Sequence, residues 1–212
     1  GEEEVGSTHL EDFIKEHEEM LAADYVVISD TPMFRAGYPG ITYGLRGLAY
    51  LQVNLRGTST DLHSGSFGGL VKNPINALVE ILAQMKDEDG RILIPGFYDD
   101  VLPITENEHE KLSNLPFSAK DFADSIHAPA LFGEAGYDDL ERLWARPTFD
   151  INGIWGGFQG EGAKTVIPAE AHAKVSMRLV ADQDPDDIAR KFTAYVKSLI
   201  PESMEAEVEA MH

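Results

Sequence analysis

The first forty residues combine an amphipathic segment with a short, continuous apolar run. Apolar side chains recur at helical intervals between residues 8 and 21, and Thr8 and Glu11 have capping-box spacing, which together predict a helix. The run Tyr25–Ile28 is too short for a helix and rich in β-branched residues, so it predicts a strand buried on both faces of a parallel sheet. One helix and one buried strand cannot form a core of their own. We therefore expect residues 1–42 to be an α/β piece of a larger domain.

A different pattern begins after residue 42. Residues 41–57 alternate between apolar and polar side chains, which predicts a long antiparallel strand with one buried face. A loop rich in Gly and Ser follows at 58–72. Asn73-Pro74 then has the sequence of a helix start, and we expect Gly90 to end that helix.

The remaining elements complete the prediction of an α+β fold. The patterns predict a strand-like piece at 91–94, helices near 103–114, 118–126, 137–145 and 186–199, and strands at 147–157, 169–181 and 204–210. With an insert at about 91–146 set aside, the order is β-α-β-β-α-β. We therefore predict an antiparallel sheet with helices on one face, formed by residues 43–212.

Composition excludes several classes of function. The 212 residues include 17 Lys and Arg against 37 Asp and Glu, a formal charge of −20, which argues against nucleic acid or an anionic membrane as the main partner. There is no Cys, which excludes disulfides, thiolate metal sites and a Cys nucleophile. No apolar run approaches the roughly 18–20 residues of a membrane span. We expect a cytoplasmic location, with which the lack of Cys is compatible.

Two acidic features suggest metal chemistry. Glu2-Glu3-Glu4 has the residue types of a metal ligand beside a general base, because one carboxylate can bind a divalent cation while another accepts a proton from metal-bound water. Asp30, at the end of the predicted strand, is the natural companion ligand. The same residues also fit a solvated acidic run at a helix start and an ordinary turn residue.

Two further groups suggest substrate binding. His63 lies in a Gly-rich loop, where its ring has room to donate a hydrogen bond to a developing oxyanion; an ordinary polar loop is the alternative. Arg178 lies in a predicted strand between Met177 and Leu179, where it suits a carboxylate clamp or a solvent-exposed strand face.

Together, four motifs resemble the co-catalytic zinc aminoacylase/carboxypeptidase family, nearest its carnosine (cytosolic non-specific) dipeptidase branch. Their order and spacing match that family across essentially the whole chain, and the long insert favours a dipeptidase-like parent. The motifs are Glu2–Ser7, Tyr25–Asp30, Asp61–Gly65 with Gly68-Gly69, and Lys164–Pro168 leading to Arg178–Val180.

The resemblance implies a role for each site residue. Glu3 is similar to the general base and Glu4 to a ligand of one metal ion, whereas Asp30 is similar to a ligand of the other. His63 resembles a histidine of the inserted lid domain that reaches the partner subunit's active site and polarises the scissile carbonyl. Thr165 and Arg178 resemble substrate-binding lid residues, Arg178 through the substrate carboxylate. The implied cofactors are two divalent ions, Zn or Mn, in a homodimer joined through the lid.

The chain also departs from that family. The His-x-Asp pair and bridging Asp that precede the Glu-Glu motif are missing, as is the His that follows the lid. We therefore expect a segment of a larger enzyme that ends a catalytic stretch at residues 1–42 and contains the lid at 43–212. Three hypotheses stay open: a metal-dependent hydrolase of dipeptides or N-acyl amino acids, a non-catalytic dimerisation module that binds no metal by itself, and a ferredoxin-like regulatory domain suggested by β-α-β-β-α-β alone.

Overall fold

The structure is a computed structural model that describes residue 2, residues 6–31 and residues 33–211. It divides into two units, Gly1–Gly44 and Leu45–His212.

The first unit contains two short helices with exposed apolar side chains. Helix α1 spans Leu10–Glu16 and helix α2 spans Glu18–Leu21, separated by His17. The expected helix is therefore present in two pieces. The capping-box prediction is wrong, because the helix starts after His9 and no side chain caps it.

The strand expected at Tyr25–Ile28 is absent. These residues have no regular secondary structure, and each side chain is at least 80% exposed. The physical reason is the lack of neighbours, since a buried parallel strand needs strands on both sides and none of the described residues pairs with this segment. Propensity alone does not hold an isolated strand.

The second unit is built on a four-stranded antiparallel sheet. Its strands are β1 (Gly47–Arg56), β3 (Thr148–Gly156), β5 (Glu170–Leu179) and β6 (Glu205–Ala210). They lie in the order β3-β5-β1-β6. The two central strands pair along their whole length, from Gly47↔Leu179 to Arg56↔Glu170, and a bulge in β3 leaves Asn152 without a partner on β5.

Two amphipathic helices cover one face of this sheet and enclose the core. Helix α4 spans Pro74–Leu82 and helix α8 spans Pro185–Leu199, and each begins at a side-chain cap, Asn73 and Asp184 respectively. Alternate residues of β1 and β5, among them Val53 and Val175, pack against Phe192 of α8 and its neighbours in one core, and all three are fully buried. This arrangement confirms the α+β prediction of an antiparallel sheet with helices on one face.

The first of these helices ends earlier than expected. It stops at Leu82, whereas Gly90 lies in a later turn with φ of +79°. A Cβ at position 90 would come within 2.9 Å of the Gly133 backbone, so glycine is needed there for a close chain approach and not to end a helix.

The insert contains three short helices and almost no sheet. Helices α5 (Glu106–Ser113), α6 (Ala119–Ser125) and α7 (Asp139–Trp144) lie within the expected ranges. The strand-like piece at 91–94 forms only one isolated bridge, Lys86↔Ile92, because its apolar side chains pack into the main core and not into a sheet.

A second sheet of two strands, each two residues long, has one strand within residues 58–72, which were expected to be a loop, and the other at residues 166–167. Strand β2 (Leu62–His63) pairs with β4 (Val166–Ile167), and helix α3 (Ser64–Phe67) follows β2 directly. None of the helices among residues 6–31 and 33–211 has the length and apolar character needed to cross a bilayer.

Candidate functional site

His63 and Thr165 are brought together although 102 residues separate them. The antiparallel β2–β4 pair places His63 opposite Val166, so that Thr165 lies beside the imidazole. The distance from His63 Nε2 to Thr165 Oγ1 is 3.3 Å. Both side chains are solvent-exposed, so a substrate can reach them.

The backbone after His63 selects one tautomer of its ring. Gly65 N–H donates to His63 Nδ1 at 3.0 Å, so the neutral ring carries its proton on Nε2. A Cβ at Gly65 would lie 2.6 Å from His63 Cε1, which makes glycine necessary for this contact. The site therefore has an Nε2–H donor on an exposed ring beside the Thr165 hydroxyl, the type of group that stabilises an oxyanion.

Arg178 lies at the other end of the sheet from His63. It pairs with Leu48 near the start of β1, whereas the His63 segment follows the opposite end of β1, where Arg56 pairs with Glu170. Eight residues of extended strand separate Glu170 from Arg178, roughly 26 Å. A dipeptide is only about 7 Å long. His63 and Arg178 of one chain therefore do not contact the same dipeptide.

The expected metal ligands are not assembled among the described residues. Glu3 and Glu4 lie outside the described residues. Asp30 is exposed, in a segment of the first unit without regular secondary structure. Across residues 2, 6–31 and 33–211, no group of three potential ligands includes Asp30. Carboxylates suit divalent ions such as Zn or Mn, but Asp30 alone is too small a donor set.

A cluster in the insert was missed by sequence reasoning. The carboxyl oxygens of Asp138 and Glu141 and a ring nitrogen of His109 lie within 4.8 Å of one another. Each already has a partner, since Glu141 Oε1 is 2.7 Å from His109 Nδ1 and Glu141 Oε2 accepts the Asp138 N–H at 2.8 Å. Asp138 and Glu141 form the capping box of α7. We call this cluster, which links α5 to α7, the latch. The capping-box spacing of Asp138 and Glu141 is the sequence signal that could have revealed part of it.

The latch makes stability depend on pH. The hydrogen bond to Glu141 and the charge of that carboxylate raise the pKa of His109 above its ordinary 6.5. Burial raises the pKa of Glu141, but hydrogen bonds from His109 and the Asp138 backbone outweigh burial and leave it below 4.5. The His109 contribution is present below 6.5 and lost as pH rises through its folded pKa. The Glu141 contribution is present above 4.5 and lost as pH falls through its folded pKa.

We expect His109→Gln to flatten the decline of Tm between about pH 6 and about pH 9, because glutamine cannot lose a proton there. Thermal unfolding monitored by circular dichroism across that pH range measures the Tm. His127→Asn is the control, since His127 is an exposed histidine of the same insert with φ of +55°, which Asn tolerates. An unchanged profile in His109→Gln would show that the latch does not titrate.

Comparison with known proteins identifies the family of most of this chain. The sequence profile of the peptidase dimerisation domain (M20_dimer) matches residues 43–204. This range includes β1, β3 and β5 of the main sheet and the His63–Thr165 pair, and it ends just before β6. The chain belongs to the M20 peptidase dimerisation-domain family.

Two curated proteins similar to this M20 domain are named as dipeptidases. The Cys-Gly metallodipeptidase dug1 of Schizosaccharomyces pombe is 39% identical over 92% of this chain and 42% of that protein. The human Beta-Ala-His dipeptidase is 34% identical over 94% of this chain and 40% of that protein.

Solved structures show the same M20 architecture. Human carnosine dipeptidase 1 superposes with a TM-score of 0.85 at 32% identity, over 99% of this chain and 45% of that one. The dipeptidase Dug1p of Saccharomyces cerevisiae gives 0.84 at 35% identity, over 100% and 45%. The chain thus spans less than half the length of these relatives.

Proposed function

We propose that this chain is part of a metal-dependent dipeptidase and supplies substrate-binding groups through its M20 domain. The observation that carries this proposal is the exposed Nε2–H donor of His63, held by Gly65 and Thr165, in a chain whose relatives are dipeptidases. A neutral imidazole N–H that faces solvent can bind the carbonyl oxygen of a peptide bond. Its hydrogen bond strengthens as negative charge develops on that oxygen.

The residues of this chain have the following proposed roles. Two bound divalent ions, Zn or Mn, would supply an activated water as the nucleophile, with Glu4 and Asp30 among their ligands. Glu3 accepts the proton of the attacking water and passes it to the leaving amine. His63 stabilises the oxyanion. Thr165 holds the peptide beside His63, while the Arg178 guanidinium binds its terminal carboxylate.

We further propose that each site uses two chains. Since Arg178 lies at one end of the main sheet and the β2–β4 pair that carries His63 lies beyond its other end, a dipeptide that contacts both must bind between two copies. This separation supports a homodimer in which His63 and Thr165 of one protomer act on the substrate held by its partner. Only the assembled dimer can therefore bind a substrate that requires both groups.

The free edge at β3 is the proposed contact between the two copies. This strand exposes about half of Ile151 and Ile154 and carries one charged residue, Asp150. The other edge, β6, exposes Glu205, Glu207 and Glu209, and antiparallel pairing of that strand with its own copy would place carboxylates together. Charge therefore favours the β3 edge for dimer formation.

A non-catalytic dimerisation module remains the second candidate function. The observation that favours it is the isolation of Asp30, which has no group of potential ligands around it among the described residues. In that case the chain binds no divalent ion tightly and serves only assembly. The absence of Cys supports our proposal of a cytoplasmic location for either function.

Hydrolysis by the full-length protein tests the two candidates. We expect it to cleave free dipeptides, to lose activity with a chelator and to recover it with Zn²⁺ or Mn²⁺, because the attacking water requires the metal. A ninhydrin assay of the released amine measures the rate of hydrolysis. Parallel assays of N-acetyl amino acids separate dipeptidase from aminoacylase activity. Absence of hydrolysis with either metal, in a protein that is dimeric by sedimentation, would favour the assembly module.

A further inference from the structure

The strand register places a second arginine beside Arg178. Leu48 is the direct cross-strand partner of Arg178, and Arg46 lies two residues before Leu48. Arg46 immediately precedes β1, and continuing the alternation of that strand by one residue places Arg46 on the face of Leu48 and Arg178. The electrostatic effect of Arg178 on Arg46 agrees with this placement. The two arginines are therefore diagonal neighbours at one end of the sheet.

The charge of Arg178 and the charge of Asp150 act on Arg46 in opposite directions. Burial, and then the charge of Arg178, lower the pKa of Arg46, while Asp150 acts in the opposite direction. Asp150 also accepts a hydrogen bond from Thr148 Oγ1 at 2.9 Å. Because Asp150 pairs with Ser176 and Thr148 pairs with Arg178, Asp150 is also a diagonal neighbour of Arg178, so this carboxylate lies near both arginines.

Most of the donors of the pair remain available to a ligand. Arg46 Nη1 donates to the Arg146 carbonyl at 3.4 Å, a long hydrogen bond. Arg178 is exposed, and its guanidinium makes no hydrogen bond or salt bridge to any residue in the described ranges, although its backbone pairs within the sheet. Two adjacent guanidinium groups with free N–H donors match a carboxylate, which accepts up to four hydrogen bonds.

We propose that Arg46 binds the terminal carboxylate of the peptide substrate together with Arg178, so that the carboxylate is shared by two guanidinium groups. The assignment of Arg46 rests on the proposed dipeptidase function. Arg46 is half-buried and lies against the Arg146 backbone, so it provides a fixed inner charge. Arg178 provides the exposed, movable outer donor. Arg46 thus becomes a specificity-determining residue that favours peptides with a free carboxylate over peptide amides.

Kinetics of the full-length, metal-loaded enzyme test this assignment. We expect Arg46→Gln to raise KM for a free dipeptide by roughly tenfold or more, with a smaller change in kcat, because a charge-assisted hydrogen bond to the ground-state substrate is lost. The preference for the dipeptide over its C-terminal amide should fall by a similar factor. Arg46→Lys should keep part of this preference, since lysine retains the positive charge but lacks the paired N–H donors of a guanidinium.

Arg190→Gln is the matched control. It removes one arginine charge from the exposed side of α8, where Arg190 pairs with Asp187, and should leave the preference unchanged. An unchanged preference in Arg46→Gln, with normal dipeptide hydrolysis by the wild type, would overturn the role of Arg46 and leave the dipeptidase function standing.

A second readout does not require catalysis. N-acetylglycine should slow phenylglyoxal modification of Arg178, measured by peptide mass spectrometry, whereas N-acetylglycinamide should not. The protection should disappear in Arg46→Gln. If the wild type shows this protection but hydrolyses no peptide, the carboxylate site stands and the dipeptidase function fails. Equal protection by the acid and the amide, or none by either, would contradict the site itself.

Discussion

Replacing His63 by alanine should lower kcat of the full-length enzyme by about 100- to 1000-fold and change KM far less. The Nε2–H of His63 is set by the Gly65 contact and faces solvent. Alanine removes the donor that stabilises the oxyanion, a group whose hydrogen bond matters most in the transition state. Steady-state kinetics with a free dipeptide measure the effect, and His127→Asn is the control histidine variant.

Mixing two inactive variants shows from which chain this histidine acts. A dimer of one Glu3→Gln protomer and one His63→Ala protomer contains one site with an intact Glu3 and an intact His63, provided that His63 crosses to the partner. Random exchange of protomers should therefore restore about a quarter of wild-type activity.

If His63 acts within its own chain, the mixture should remain inactive. That result, after exchange has been verified by native mass spectrometry, would contradict the two-chain site and the reading of the sheet geometry behind it. A small loss of kcat in His63→Ala itself would remove the oxyanion role altogether.

The second large effect is expected on stability, from a buried ion pair in the insert. Arg146 donates to both carboxylate oxygens of Glu134, at 2.7 and 2.8 Å, and its guanidinium lies 4.1 Å from the centre of the Tyr137 ring. Burial lowers the pKa of Arg146, but Glu134 outweighs burial and raises it. Arg146→Met should lower the free energy of unfolding by about 3–5 kcal/mol, because it leaves the Glu134 carboxylate buried without its partner.

Urea denaturation followed by tryptophan fluorescence measures this loss. Arg91→Met is the matched control, because Arg91 is 57% exposed and only 4.0 Å from the same carboxylate. It should cost no more than about 1 kcal/mol. The double variant Glu134→Leu/Arg146→Met should recover part of the loss, since no charge is then left buried. Equal losses in the two single variants would show that burial does not govern the pair.

The fold of the second unit could be predicted because its signals are local. Alternation along β1 and β5 and the cap at Asn73 each depend on residues that are close in sequence. The segment Tyr25–Ile28 could not be predicted correctly, because a strand depends on neighbours that a local pattern does not contain. Gly90 was misread for the same reason, since its requirement comes from the distant Gly133 backbone.

The site was predictable in residue type but not in arrangement. The Gly-rich surroundings of His63 and the strand context of Arg178 identified both as functional candidates. Their separation, with Arg178 at one end of the main sheet and His63 beyond the other, depends on the pairing of β1 with β5 and of β2 with β4. The contact of His109 with Glu141, across 32 residues, likewise depends on how α5 packs against α7.

The three glutamates of β6 have a consequence for how far assembly can proceed. If two sheets join through β3, each end of the combined sheet is a β6 edge that carries Glu205, Glu207 and Glu209. A further chain would have to align its backbone beside this row of like charges. Growth into open-ended filaments is thereby opposed, and strand pairing ends at a closed pair of molecules.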